Sequence, residues 1–228
     1  MFTEEPLTSH CAGVRDSSAH ACVGVSPFNG YYTAERIGQL AAWVRDNFDD
    51  FHFFVPDEAA AHTLEAVGYE PARARHKARR QGNLVINRIG RALADLGVPD
   101  AGRHILDAAR LAVNPAYQRI HDEVTRLFAQ DKDFRMQTMA SSEWVLAKRL
   151  PPGSAPTERQ RLLAVRYFLA ELPLFLDTPG IVGRPASVFV YHQRVEFLNR
   201  LYHGELARRP DPAQGFLVLT AAEAVVPV

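Results

Sequence analysis

In "ACVGVSPFNGYYTAERI", residues 21–37, an apolar run gives way to a helical pattern, and Ser26 stands at the junction. A serine at the carboxyl end of a strand in an open α/β sheet lies where ligands gather, with the next helix aiming free N–H groups at them. Such a hydroxyl can attack a carbonyl if its proton has somewhere to go, and backbone N–H groups can hold the oxyanion. The same position equally suits a turn or N-cap serine. Two further places offer partners. In "VRYFLAELPLF", Tyr167 and Glu171 are four residues apart, so a helix puts both on one face in apolar company. A carboxylate there needs a partner, and a ligand ammonium group would serve. In "SVFVYHQ", Tyr191 and His192 close an apolar strand. As strand neighbours they are expected on opposite faces, so not acting as one pair.

A fourth feature is electrostatic. Between Pro71 and Ala94 no Asp or Glu occurs, yet Arg73, Arg75, Lys77, Arg79, Arg80, Arg88 and Arg91 do, seven of the 26 Lys and Arg in a chain of zero formal net charge. A solvated helix face is one reading. A polyanion such as RNA is the other, because a single-sign run repels itself without acidic partners four residues away.

The elements that would position these residues follow from periodicity. "HACVGVS" reads as a buried strand, and "TAERIGQLAAWVRDNF" as a helix with Ile37, Leu40, Ala41, Val44 and Phe48 on one face. "FHFFVPDE" is a second strand, with Asp57 a candidate N-cap for the helix after it. A long helix runs from Pro71 to about Leu96, though Gly82 and Gly90 sit inside it. "RHILDAARL" is an ambiguous short strand, two helices fit "PAYQRIHDEVTRLFAQ" and "KDFRMQTMASSEWVLAKR", and "PPGSAP" is a loop rather than a boundary. Another helix and two late strands, "ASVFVYH" and "GFLVLT", complete an α/β sheet with helices on both faces. Residues 1–17 lack a periodic apolar face and read as a flexible arm, leaving 18–228 as one domain.

Composition removes several function classes. With 228 residues, 47% of them apolar, the chain can bury a core. Cys11 and Cys22 are too far apart for a CxxC pair, and nine histidines without metal spacing suggest no metal. No apolar run approaches the roughly 20 residues that span a bilayer, and no basic-then-apolar leader opens the sequence. A cytoplasmic protein without membrane contact is the expectation. Phe28 occupies the place of the second glycine of G-x-S-x-G, which counts against a serine hydrolase, and the dinucleotide and P-loop glycine patterns are absent.

Together "GVSPFNGYY", "RARHKARRQGNLVINRI", "NPAYQRIHDEV", "RYFLAELPLFLDTPG" and "SVFVYHQ" resemble the cyclodipeptide synthases, which join aminoacyl groups from two charged tRNAs into a 2,5-diketopiperazine. The blocks keep that family's order over about residues 20–200. The resemblance implies a single Rossmann-like domain with a mainly parallel sheet, similar to tyrosyl- and tryptophanyl-tRNA synthetase catalytic domains but without ATP motifs. It implies Ser26 as nucleophile and Tyr167 and Glu171 as holders of the substrate ammonium. Tyr191 becomes a proton carrier during cyclisation, and Gly24, Asn29, Tyr117 and His192 become substrate-site residues. Asn29, Tyr191 and His192 match the Asn-Tyr-His subfamily. Arg73, Lys77, Arg79, Arg80, Arg88 and Arg91 become the tRNA contacts. Two aminoacyl-tRNAs as partners, no ATP, cofactor or metal, and a monomer are also implied. A non-catalytic RNA-binding module is the rival reading. Val23, Val25, Phe53, Phe189 and the helix of Trp144 suggest hydrophobic or aromatic substrates.

Overall fold

A computed structural model describes residues 2–147, 149–151 and 153–221, the side chain of Trp144 excepted. Four strands carry the parallel core of the sheet: β2 (His20–Gly24), β3 (Asp50–Phe54), β5 (Ser187–Tyr191) and β6 (Gln214–Ala221), with the two-residue β4 (Ile105–Leu106) at one edge and β1 (Phe2–Pro6) at the other. The order is β1-β6-β5-β2-β3-β4, with every pair parallel except β1 with β6. Strands buried on both faces read as continuous apolar runs, as β2 does. Successive residues then serve opposite cores. Cys22 and Phe54 join one cluster, while Ala21, Val23, Phe51 and Phe53 join the other.

Helix α2 (Ala34–Asn47) starts where the Thr33 hydroxyl accepts from the Arg36 N–H, and its Ile37, Leu40, Ala41 and Val44 are buried. The basic helix, α4 (Pro71–Asp95), has Pro in its first turn and the Glu70 carboxylate on two of its free N–H groups. Gly82 is no weakness there: a Cβ at that position would lie 2.3 Å from the Asp57 Cβ, so the glycine lets α4 approach the β3 loop. On the other face α6 (Pro115–Gln130), α7 (Lys132–Ala147) and α8 (Glu158–Val182) pack together. Thr157 and Gln160 form a capping box on α8, which breaks at Asp177 between Pro173 and Pro179.

Three expectations need correction. Residues 2–17 are not a free arm, for β1 pairs with β6 and α1 (Ser9–Ser17) buries Cys11 and Val14. Asp57 does not cap α3 (Ala60–Ala66); its carboxylate accepts from the Ala108 N–H at 2.9 Å, tying the β3 loop to α5 (Ala108–Ala112). The ambiguous segment divides into β4 and α5. Cys11 and Cys22 are free and buried. Among the described residues no helix is long and apolar enough to cross a membrane.

Candidate active site

Because β2 and β5 are parallel neighbours, their carboxyl ends meet, and Ser26 and Tyr191 meet with them: Oγ and Oη lie 3.1 Å apart. Tyr167 reaches the same serine from α8 and donates its hydroxyl to Glu171 one turn on. Both phenols stay protonated, as burial first and the Glu171 charge second push their titration up. Glu171 is closed in by protein except where it faces a cavity, and that burial lifts its carboxyl to about 8 in spite of the Tyr167 hydrogen bond.

The cavity measures about 490 Å³. Ser26, Asn29, Tyr167, Glu171, Tyr191 and His192 give its lining polar groups, and Phe168, Phe175, Phe189, Val195 and Leu198 give it apolar ones. Gly24 belongs to the floor. A Cβ there would stand 2.8 Å from the Phe189 ring, so any larger residue pushes that ring into the cavity.

Tyr31 and Tyr32 carry a role that the sequence reading missed. The Tyr32 hydroxyl donates its one proton to the Gly24 carbonyl at 2.8 Å, so His192 Nδ1, 2.9 Å away, must be the N–H donor to that oxygen. In neutral His192 the Nε2 is then an acceptor. Asn29 Nδ2 donates to it at 3.4 Å, and Asn29 Oδ1 is left for the Tyr31 N–H at 3.0 Å. The Tyr31 ring stacks on His192 with centroids 4.4 Å apart. The adjacency of two tyrosines in "NGYY" was visible, but their partner lies on another strand end. Tyr32→Phe should release His192 from the Nδ1–H tautomer and lower turnover about fivefold, since one buried hydrogen bond is worth about 1 kcal/mol; ¹⁵N NMR of the His192 ring checks the tautomer directly.

The geometry amends four sequence-based placements. Tyr191 and His192 do not diverge, because β5 ends at Tyr191 and the chain turns, bringing both onto the cavity with rings 4.4 Å apart. Tyr117 lines a separate cavity of about 390 Å³, with Phe54, Leu111, His62 and His121. Its hydroxyl donates to the Ala170 carbonyl at 2.9 Å and is pushed up to about 12 by burial and then by Glu171, so it supports α8 from behind. Val23, Val25 and Phe53 belong to the core on the far side of the sheet; Phe189 is on the Ser26 cavity, and the helix of Trp144 reaches it through Ser141, Ser142 and Val145, the Trp144 side chain itself lying outside the described residues. Finally, α2 begins at Ala34, eight residues after Ser26, with its first turn capped by Thr33, so its N-terminus is not at the serine.

On α4 the residues Arg73, Arg75, Lys77, Arg79, Arg80 and Arg91 are exposed. Arg73 and Lys77 lie over the Tyr69 ring, Arg79 is paired with Glu58 at 2.8 Å, and Arg88 donates to the Tyr32 carbonyl at 3.3 Å. The helix is thereby joined to the loop that holds Ser26.

Residues 2–221 match the cyclodipeptide synthase family. The chain belongs to that family. As a cyclodipeptide synthase it is an enzyme that makes cyclodipeptides from aminoacyl-tRNAs. It is 30% identical over 219 residues to the cyclo(L-tyrosyl-L-tyrosyl) synthase of Mycobacterium tuberculosis, covering 96% of this chain and 76% of that one. To the cyclo(L-leucyl-L-leucyl) synthase of Bacillus subtilis it is 28% identical, covering 96% and 89%. Among solved structures, the synthase from Bacillus thermoamylovorans superposes with a TM-score of 0.91 at 26% identity, covering 97% of both chains. A Mycobacterium tuberculosis synthetase, described as related to type I tRNA synthetases, superposes with 0.85 at 30% identity, covering 97% of this chain and 94% of that one. The synthase fold is accordingly Rossmann-like and related to class I tRNA synthetases.

Proposed function

We propose that this synthase works by ping-pong covalent catalysis on Ser26, with two aminoacyl-tRNAs as successive donors and with no ATP, cofactor or metal taking part in the reaction. The observation that carries the reading is the contact of Ser26 with Tyr191 and Tyr167, beside a half-buried Glu171, on a cavity large enough for an amino-acid side chain. The first aminoacyl group enters with its ammonium against Glu171 and Tyr167. A bond forms from Ser26 Oγ to the acyl carbon, the acyl–ribose bond breaks, and the serine proton finishes on the ribose oxygen by way of Tyr191. The amine of the aminoacyl-serine attacks the ester carbonyl of the second aminoacyl-tRNA; the peptide bond forms, the second acyl–ribose bond breaks with the amine's proton passing to the ribose oxygen, and a dipeptidyl-serine and a second free tRNA result. The terminal amine then closes on the Ser26 ester carbonyl, the bond to Ser26 Oγ breaks, and the diketopiperazine leaves as the amine's proton returns to Ser26. An ester arriving already activated explains why two neutral phenols suffice where an amide substrate would need a stronger base.

The apolar lining of the cavity, Phe168, Phe175, Phe189, Val195 and Leu198 among it, supports hydrophobic or aromatic residues as substrates. The Asn29–His192 contact supports the Asn-Tyr-His subfamily. The synthase acts as a monomer in the cytoplasm, where charged tRNA is found. Mass spectrometry tests the whole reading: medium from bacteria expressing the chain should contain a diketopiperazine, and rapid quenching with a charged tRNA should add one aminoacyl mass to a Ser26 peptide. Product without any acylated peptide would remove the covalent route.

The exposed cations of α4 form the tRNA contact, Arg73, Lys77, Arg79, Arg80 and Arg91 outward and Arg88 at the loop. Replacing Arg73, Lys77 and Arg80 with Ala should reduce the slope of log affinity against log salt by about 2 to 3, because each lost phosphate contact removes about 0.7 to 0.9. Filter binding of tRNA across a salt series reads it; an unchanged slope would take α4 out of the interface.

A further inference from the structure

The end of the sheet opposite Ser26 holds a cluster that the synthase reaction does not use. His20 opens β2, Asp50 and His52 lie at the start of β3, and Ser187 opens β5, the neighbour of β2. In sequence the two histidines are 32 residues apart and carry no metal spacing; parallel pairing of β2 with β3 is what unites them. One ligand atom from each of His20, Asp50 and His52 lies within 4.8 Å of the other two.

We propose that His20, Asp50 and His52 bind a late first-row divalent cation, zinc above all, as a structural site that ties the start of β2 to that of β3. Two imidazoles and a carboxylate suit zinc, nickel or copper and not magnesium or calcium. His20 Nε2 and His52 Nδ1 face each other at 2.9 Å. Tetrahedral zinc with bonds of about 2.0–2.1 Å spreads its ligand nitrogens to about 3.3 Å, so a small ring rotation admits the ion. The supporting shell is in place. His20 Nδ1 is 2.8 Å from the Ser187 hydroxyl, which holds the ring with Nε2 toward the site. Arg184 Nε donates to Asp50 Oδ2 at 2.8 Å, the second contact a ligating carboxylate normally has.

Protons balance without a base. Each neutral ring carries one proton, and the one shared between the rings moves to a distal nitrogen, leaving His20 with Nδ1–H toward Ser187 and His52 with Nε2–H. His20 is 1% exposed, whereas His52 and Asp50 are half-buried, so the ion enters from their side and keeps a water as fourth ligand. Arg184, Arg103 and Arg110 are the cations near this end. They are engaged with Asp50, His104 and the Arg103 carbonyl, and their charge sets the affinity below that of a closed zinc finger.

The test is calorimetry of the full chain, stripped with chelator, against zinc chloride, with cobalt(II) absorption as a second probe. Expected are one equivalent bound and an intense visible cobalt spectrum. His52→Ala should abolish both, and Ser187→Ala should weaken zinc about 10- to 100-fold. Circular dichroism verifies that each variant is folded, and Asp50→Asn replaces any that is not. No saturable binding by the wild type, or binding that survives His52→Ala and Asp50→Asn unchanged, would overturn the site. Because no catalytic residue is altered, cyclodipeptide formation reports separately on the reaction.

Discussion

Ser26→Ala should abolish cyclodipeptide formation, lowering the rate on the order of 10⁴-fold or more, while tRNA binding and the fold persist. Removing a nucleophile removes the route and not one contribution to it, so the loss should exceed the roughly 10²- to 10⁴-fold expected when Tyr191→Phe deletes only a proton carrier. The fold has little reason to object. Oγ is bonded to the hydroxyls of Tyr191 and Tyr167, and both phenols border a cavity that gives them an alternative partner once it is gone. Single-turnover assays with a radiolabelled aminoacyl-tRNA measure both quantities in one preparation. Residual acylation of the variant would place the covalent bond elsewhere.

Glu171→Gln should be inactive yet more stable than the parent at neutral and alkaline pH. The Glu171 carboxyl titrates near 8 in the folded chain against 4.5 when unfolded, because burial disfavours its charge. Between those values the native state binds the extra proton, so stability is full below pH 4.5 and falls as pH rises through 8. At pH 7 the loss reaches about 3 kcal/mol, less the solvent access that the cavity provides. Gln keeps the shape and a hydrogen bond to Tyr167 without a charge to bury, so the variant should melt several degrees higher at pH 8 and lose most of the difference near pH 4.5. Scanning calorimetry at the two pH values decides it. The parent recovers that energy only when an ammonium enters beside the carboxylate, which is how a destabilised group becomes a receptor.

Much of this was legible because strand ends have a grammar. An apolar run followed by a helix pattern put Ser26 and Tyr191 at the carboxyl edge, and the spacing of Tyr167 and Glu171 gave them one face. What failed was information residing in the partner. The doubly buried strand shows no alternation, so nothing told Val23 and Phe53 that they face the far core while Phe189 faces the cavity. Tyr117, which the resemblance places at the substrate site, lines a second cavity and bonds the Ala170 carbonyl, a setting that its helix spacing did not announce. The segment "FTEEP" looked unstructured because an edge strand may be polar on its outer face and even hold a proline; its burial alternates residue by residue.

That edge strand also has a temporal meaning. Among the described residues Phe2–Pro6 pairs with Gln214–Ala221 alone, so β1 must wait for a partner made much later in the chain. At about 5–20 residues per second the delay is about 10 to 40 seconds. Until β6 arrives, β5 has one open side and β1 has no partner, which makes closure of the sheet a late event that the earlier strands await.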